Sequence, residues 1–90
     1  MRYVYILQSE QTGRYYIGQS AHPEKRLEEH NSGKTISTRS RGPWKIVLQQ
    51  GYQTDKEARL TEIRLKKLKR RDIIAKMISE GVISLRGHGV

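Results

Sequence analysis

The sequence predicts a small α/β domain of the α+β type, a three-stranded sheet flanked by helices, and three observations carry that prediction. Tyr3-Val4-Tyr5-Ile6-Leu7 and Tyr15-Tyr16-Ile17-Gly18 are short runs rich in aromatic and β-branched residues, separated by a polar turn ending at Gly13. That is the pattern of a β-hairpin. Pro43 to Tyr52 is a third run of strand type, and the segments around it carry helix-start signals and helical spacing.

In the hairpin, side chains alternate between faces, so Tyr3, Tyr5 and Leu7 share one face and Tyr16 and Gly18 share one face of the second strand. A turn centred between Glu10 and Gln11 places Tyr5 opposite Tyr16 and Tyr3 opposite Gly18. A slip of one residue undoes that arrangement. The glycine leaves room for another group to approach the sheet. Cross-strand tyrosines are also ordinary sheet stabilisers, worth ~0.2–1 kcal/mol each.

Pro23 suits a first helical position, Glu24 the positive end of the dipole, and Gly33 the residue past the end, which predicts a helix from Pro23 to Asn31. So short a helix must be held by packing, through Leu27. Arg26 and His30, four apart, project from one of its faces. Lys34 to Gly42 reads as a loop, with Arg39 and Arg41 as candidate phosphate contacts. Pro43 then opens the third strand where no amide proton is needed, with Trp44 packed at its start.

Thr54-Asp55-Lys56-Glu57 is a capping box that opens a helix running to about Arg70. Ala58, Leu60, Thr61, Leu65 and Leu68 form its apolar arc. Glu62 falls at the edge of that arc, an uncommon place for a carboxylate, and an ion pair with Lys66 is the plain structural explanation. Asp72 caps a last helix over Ile73 to Ser79, with Gly81 past its end. The expected organisation is one domain over residues 1–80 and a tail over 81–90.

The composition narrows the class. Ninety residues allow one small core, and the absence of cysteine excludes disulfides and thiolate metal sites. No run approaches the ~18 apolar residues of a membrane span, and the N-terminus lacks a signal-peptide pattern, so the cytoplasm is the expected compartment and no membrane partner is expected. Eighteen Lys and Arg against nine Asp and Glu leave a net charge of +9, with a pI near 10.2. Such a field draws polyanions, and DNA is the expected partner. The basic residues concentrate in Arg64 to Arg71, where only Leu65 and Leu68 are uncharged. Helical spacing of those leucines suits a helix laid along phosphates. Lys66, Lys69 and Arg70 are the candidate contacts there.

Taken together, Tyr3-Val4-Tyr5, Tyr16-Ile17-Gly18, Arg26, His30 and Glu62 resemble, in order, the signature of the GIY-YIG nucleases. Tyr3 stands where that family has its first glycine, and no Asn follows Glu62 where some members carry one. The resemblance implies a small antiparallel sheet flanked by helices, with Tyr5, Tyr16, Arg26, His30 and Glu62 as catalytic residues. It also implies Glu62 as the ligand of Mg²⁺ or Mn²⁺, and Gly18 as a residue that lets nucleic acid approach. No small-molecule cofactor is implied, and the oligomeric state is left open. The implied activity is a divalent-metal-dependent, structure-selective DNA endonuclease of repair or processing. The alternative is a silent nucleic-acid-binding module on the same fold.

These residue types suit phosphodiester hydrolysis. A lone carboxylate suits Mg²⁺, which keeps several waters and accepts substrate oxygens. Arg26 offers a bidentate fork to a phosphate, which lysine does not. The resemblance makes Tyr5 the group that takes a proton from the attacking water. A free phenol has a pKa of ~10, so that role calls for nearby cations to depress it.

Overall fold

A computed structural model describes residues 1–35, 38 and 41–85. The elements in chain order are β1 (Arg2–Ser9), β2 (Tyr15–Ser20), α1 (Pro23–Asn31), β3 (Trp44–Tyr52), α2 (Asp55–Leu68) and α3 (Arg71–Glu80). The sheet is antiparallel, in the order β2-β1-β3.

As the central strand, β1 is covered on both faces, which explains its almost unbroken apolar run. Val4 and Ile6 point into a core built with Leu48, Ala58, Leu65, Leu68, Ile74, Met77 and Ile83. Tyr5 and Leu7 point the other way, to Trp44, with Tyr16, Leu27 and Ile46 packed around them. Helices α2 and α3 therefore cover one face, and α1 packs on the other through Leu27, as expected for a helix too short to stand alone.

The hairpin register differs from expectation by two residues. Tyr5 pairs with Gly18, Leu7 with Tyr16 and Tyr3 with Ser20. The cause is Ser9. Its hydroxyl accepts the N–H groups of Gln11 and Thr12 at 3.1 and 3.0 Å, and its carbonyl accepts the N–H of Gly13, which sits at φ +76°. The turn is thereby centred between Gln11 and Thr12. A two-residue change preserves the alternation, so every side chain keeps its predicted face.

Thr54 caps α2, accepting the Glu57 N–H at 3.1 Å and donating its hydroxyl to Glu57 Oε1 at 3.0 Å. The apolar stripe of α2 is narrower than expected: Ala58, Leu65 and Leu68 are buried, whereas Leu60 is 47% exposed. The helix stops at Leu68 because Lys69 takes a left-handed conformation, φ +50°. Arg70 rather than Asp72 then precedes α3, and the two side chains form a two-pronged ion pair at 2.8 and 3.0 Å. Gly81 ends α3 at φ +76°. Beyond it Ile83 returns to the core, its N–H donating to Gln50 Oε1 at 2.9 Å.

Candidate active site

The site begins with the Tyr5–Gly18 pair. Gly18 is buried, and a Cβ built on it would stand 2.6 Å from the Tyr5 hydroxyl oxygen and 2.7 Å from the ring carbon bearing it. The room that glycine leaves is thus filled by the Tyr5 ring and not by an outside group. Because β2 is the edge strand, the phenol is carried across it toward the sheet margin.

There Tyr5 Oη meets His30 Nε2 at 3.2 Å. Both residues are only 1% exposed. The other ring nitrogen, Nδ1, lies 2.8 Å from the hydroxyl of Thr38, which donates in turn to the Thr35 carbonyl at 3.4 Å. In the tautomer protonated at Nδ1, Thr38 accepts from Nδ1–H and Tyr5 donates to Nε2; in the other tautomer both directions reverse. Burial lowers the His30 pKa, Arg26 adds to the fall and Glu29 opposes it. Burial thus favours the neutral ring.

Tyr16 packs on the His30 ring, centroids 4.7 Å apart, and meets Trp44 edge-on at 6.4 Å. Trp44 Nε1 donates to the Thr38 carbonyl at 2.9 Å, so one aromatic fixes both the loop threonine and Tyr16. Asn31 ties the end of α1 to the start of β3, accepting from Trp44 N at 2.7 Å and donating to Trp44 O at 3.0 Å. These contacts hold His30 over the tyrosines.

Arg26, one turn before His30, pairs with Glu29 Oε1 at 2.6 Å and remains partly exposed. Burial pushes the Tyr5 phenol up from its usual value. Arg26 is close enough to oppose the rise, while Tyr16 and Glu62 add to it. The depression anticipated from neighbouring cations is therefore outweighed by burial.

Glu62 approaches from α2. Its side chain is 16% exposed and meets Lys66 Nζ at 3.1 Å. The ion pair is present, and the carboxylate lies near enough to Tyr5 to add to the rise of its pKa. No group of three or more His, Asp or Glu able to hold a metal ion occurs among the described residues. One carboxylate suits a hard cation that takes its other ligands from water and substrate, and here Lys66 neutralises it.

Of the predicted nucleic-acid contacts, Lys66, Lys69 and Arg70 line one cleft, together with Arg14 and Arg71. Arg41 is exposed at the end of the loop before β3, where its carbonyl accepts from the Ser9 hydroxyl. Arg39 lies outside the described residues. Sequence reasoning missed Thr38 and Arg71. Thr38 sits in a stretch read as a basic loop, and no spacing signal marks it. Arg71 belongs to the basic run, yet its contact with Gly13 O at 2.9 Å spans 58 residues.

The family model described as the GIY-YIG catalytic domain matches residues 1–76, and the chain belongs to that family of nucleases, which generally use divalent metal ions. It is 42% identical over 69 residues to a UPF0213 protein of Streptococcus pneumoniae, covering 76% of this chain and 69% of that one. It is also similar to the solution NMR structure of the UPF0213 protein BH0048 from Bacillus halodurans. There the TM-score is 0.56 at 34% identity, over 90% of this chain and 87% of that one. A shorter match, 48% identical over 40 residues, is to the structure-specific endonuclease subunit slx1 of Xenopus laevis, covering 40% of this chain and 14% of that protein. No helix among the described residues is long and apolar enough to cross a membrane.

Proposed function

We propose that the protein is a DNA endonuclease dependent on Mg²⁺ or Mn²⁺, selective for DNA structure and serving repair or processing. The observation that carries this reading is the hydrogen bond between Tyr5 Oη and His30 Nε2, held at the sheet margin by the Gly18 gap. It supplies a phenol whose proton has somewhere to go. As an incoming water gives a proton to Tyr5 Oη, the phenol's own proton moves to His30 Nε2, so no free phenolate has to form against the cost of burial. The transfer uses the tautomer protonated at Nδ1, with the Thr38 hydroxyl as its acceptor. Tyr16, packed against the ring at a 60° tilt, keeps its orientation.

Arg26 is the phosphate clamp in this scheme. It exchanges Glu29 for the scissile phosphate, whose negative charge rises as the water adds. Glu62 would hold the divalent cation, which supplies Lewis-acid stabilisation of charge on the phosphate and leaving group. The net charge of +9 supports association with a polyanion. The domain proposed for this activity is residues 1–80.

One observation favours the silent module. The Lys66–Glu62 pair occupies the carboxylate that the cation needs. Nicking of supercoiled plasmid decides between the two. The enzyme reading expects Mg²⁺-dependent nicking that Glu62→Gln abolishes while DNA affinity is kept or slightly raised. Nicking by Glu62→Gln at the wild-type rate rejects the metal assignment. DNA binding without nicking by the wild type establishes the silent module.

A further inference from the structure

A cleft of about 410 Å³ opens between the start of β2 and the corner where α2 gives way to α3. Leu65 and Ile74, both buried, lie at its base, and the exposed cations Lys66, Lys69, Arg70 and Arg71 stand around it. Arg71 is held there. Its guanidinium carbon lies 4.7 Å from the centre of the Tyr15 ring, and Nη2 donates to Gly13 O at 2.9 Å. The left-handed Lys69 turns the chain at this corner. No carboxylate lines the cleft among the described residues, though Asp72 holds Arg70 on its rim at 2.8 Å. A cationic rim above an apolar base is complementary to a nucleotide, whose phosphate meets the rim while its base or sugar covers the floor.

Lys66 belongs to this cleft and also to the site, since Nζ lies 3.1 Å from Glu62 Oε2. One ammonium cannot serve a phosphate in the cleft and neutralise Glu62 with the same strength. At 54% exposure the lysine holds its carboxylate partner weakly, because solvent screens the pair. A phosphodiester gathered by several cations competes for it on good terms. We propose that the cleft seats a phosphodiester of the bound strand next to the one being cut, and that Lys66 leaves Glu62 to meet it. The carboxylate is then free for a cation only when nucleic acid is in place. This rests on the nuclease reading of Glu62 and adds to it a second strand site and an order of events.

The test is a titration of isotope-labelled protein followed by NMR, in buffer free of divalent cations. Single-stranded hexathymidylate is the probe in one arm and a blunt ten-base-pair duplex in the other. The Lys66→Gln variant without DNA gives the carboxylate carbon shift of an unpaired Glu62. In the wild type, the responding probe moves the Ile74 methyl and Arg71 side-chain signals and brings the Glu62 carboxylate carbon to that same position. In Lys66→Gln the Ile74 signal still moves and the Glu62 carboxylate stays where it was. The arm that responds tells whether the strand must be unpaired. A Glu62 carboxylate that stays put while Ile74 moves overturns the coupling, and an unmoved cleft in both arms overturns the site. Because no cleavage is involved, a protein that responds here but never nicks plasmid loses the nuclease reading and keeps the cleft. One that nicks with an unmoved cleft does the reverse.

Discussion

Tyr5 and Gly18 face each other across the β1–β2 ladder, and the tyrosine ring occupies the space that any side chain at position 18 would need. The glycine of the second motif is in this way a condition for the position of the first motif's tyrosine. Since Tyr5 is buried on all sides, its ring cannot retreat without disturbing Leu7, Tyr16 or Trp44.

Gly18→Ala therefore tests the pair directly. Overpacking of a filled site commonly costs ~1–3 kcal/mol, so the variant is expected to fold with reduced stability by that order. It should also lose plasmid nicking, because the phenol is pushed off His30. Chemical denaturation and nicking assays read the two effects separately. A variant as stable and as active as the wild type contradicts the packing described here.

Arg26→Lys keeps the charge and removes the fork. Turnover should fall steeply while DNA affinity changes little, since a point charge still attracts the backbone but does not hold two phosphate oxygens at once. Single-turnover cleavage alongside equilibrium binding separates these outcomes. Near-normal turnover leaves Arg26 as the partner of Glu29 and nothing more.

His30 gives a pH dependence with a definite sign. Its pKa in the folded protein is lowered below the usual 6.5, by burial first and by Arg26 second. The unfolded chain thus binds a proton more readily than the folded one. The stability linked to His30 is complete above about pH 6.5 and is lost as the pH falls below it toward the folded value. Between about pH 7 and pH 5 the wild type should lose more stability than His30→Gln, in which this titration is absent. Parallel stability curves for the two proteins contradict a buried neutral imidazole.

The sequence reveals the strands, the faces of Tyr5 and Tyr16, the shared face of Arg26 and His30, and the ambiguous place of Glu62, because each depends on local period or capping. The register was missed through one side chain: Ser9 binds two turn amides and moves the centre of the loop, a choice that turn composition alone does not reveal. Leu60 was misplaced because a helical wheel treats an arc as uniformly covered, whereas the sheet touches only the stripe of Ala58, Leu65 and Leu68. Thr38 was out of reach for a different reason. It joins His30 through a loop whose path depends on Trp44 and Asn31, and such a contact leaves no periodic trace. Tyr5 shows the same limit in its electrostatics, since the cations near it were legible and its burial under α1 was not.

The central claim is that the Tyr5 hydroxyl passes a proton to His30, and the most direct measurement compares single-turnover DNA cleavage by Tyr5→Phe and Tyr3→Phe. Both changes keep the ring and the strand. Tyr3 lies on the same face of β1, but its partners are Ser20 and Gly51, away from His30. Tyr5→Phe leaves the buried His30 Nε2 without its partner, a cost of ~1–3 kcal/mol, and both variants should remain folded and bind DNA. Cleavage by Tyr5→Phe should fall at least about a hundredfold, the lower end of what general-base catalysis contributes, while Tyr3→Phe stays close to the wild type. Equal, small effects at the two positions would contradict the account and leave Tyr5 as a core residue that happens to touch a histidine.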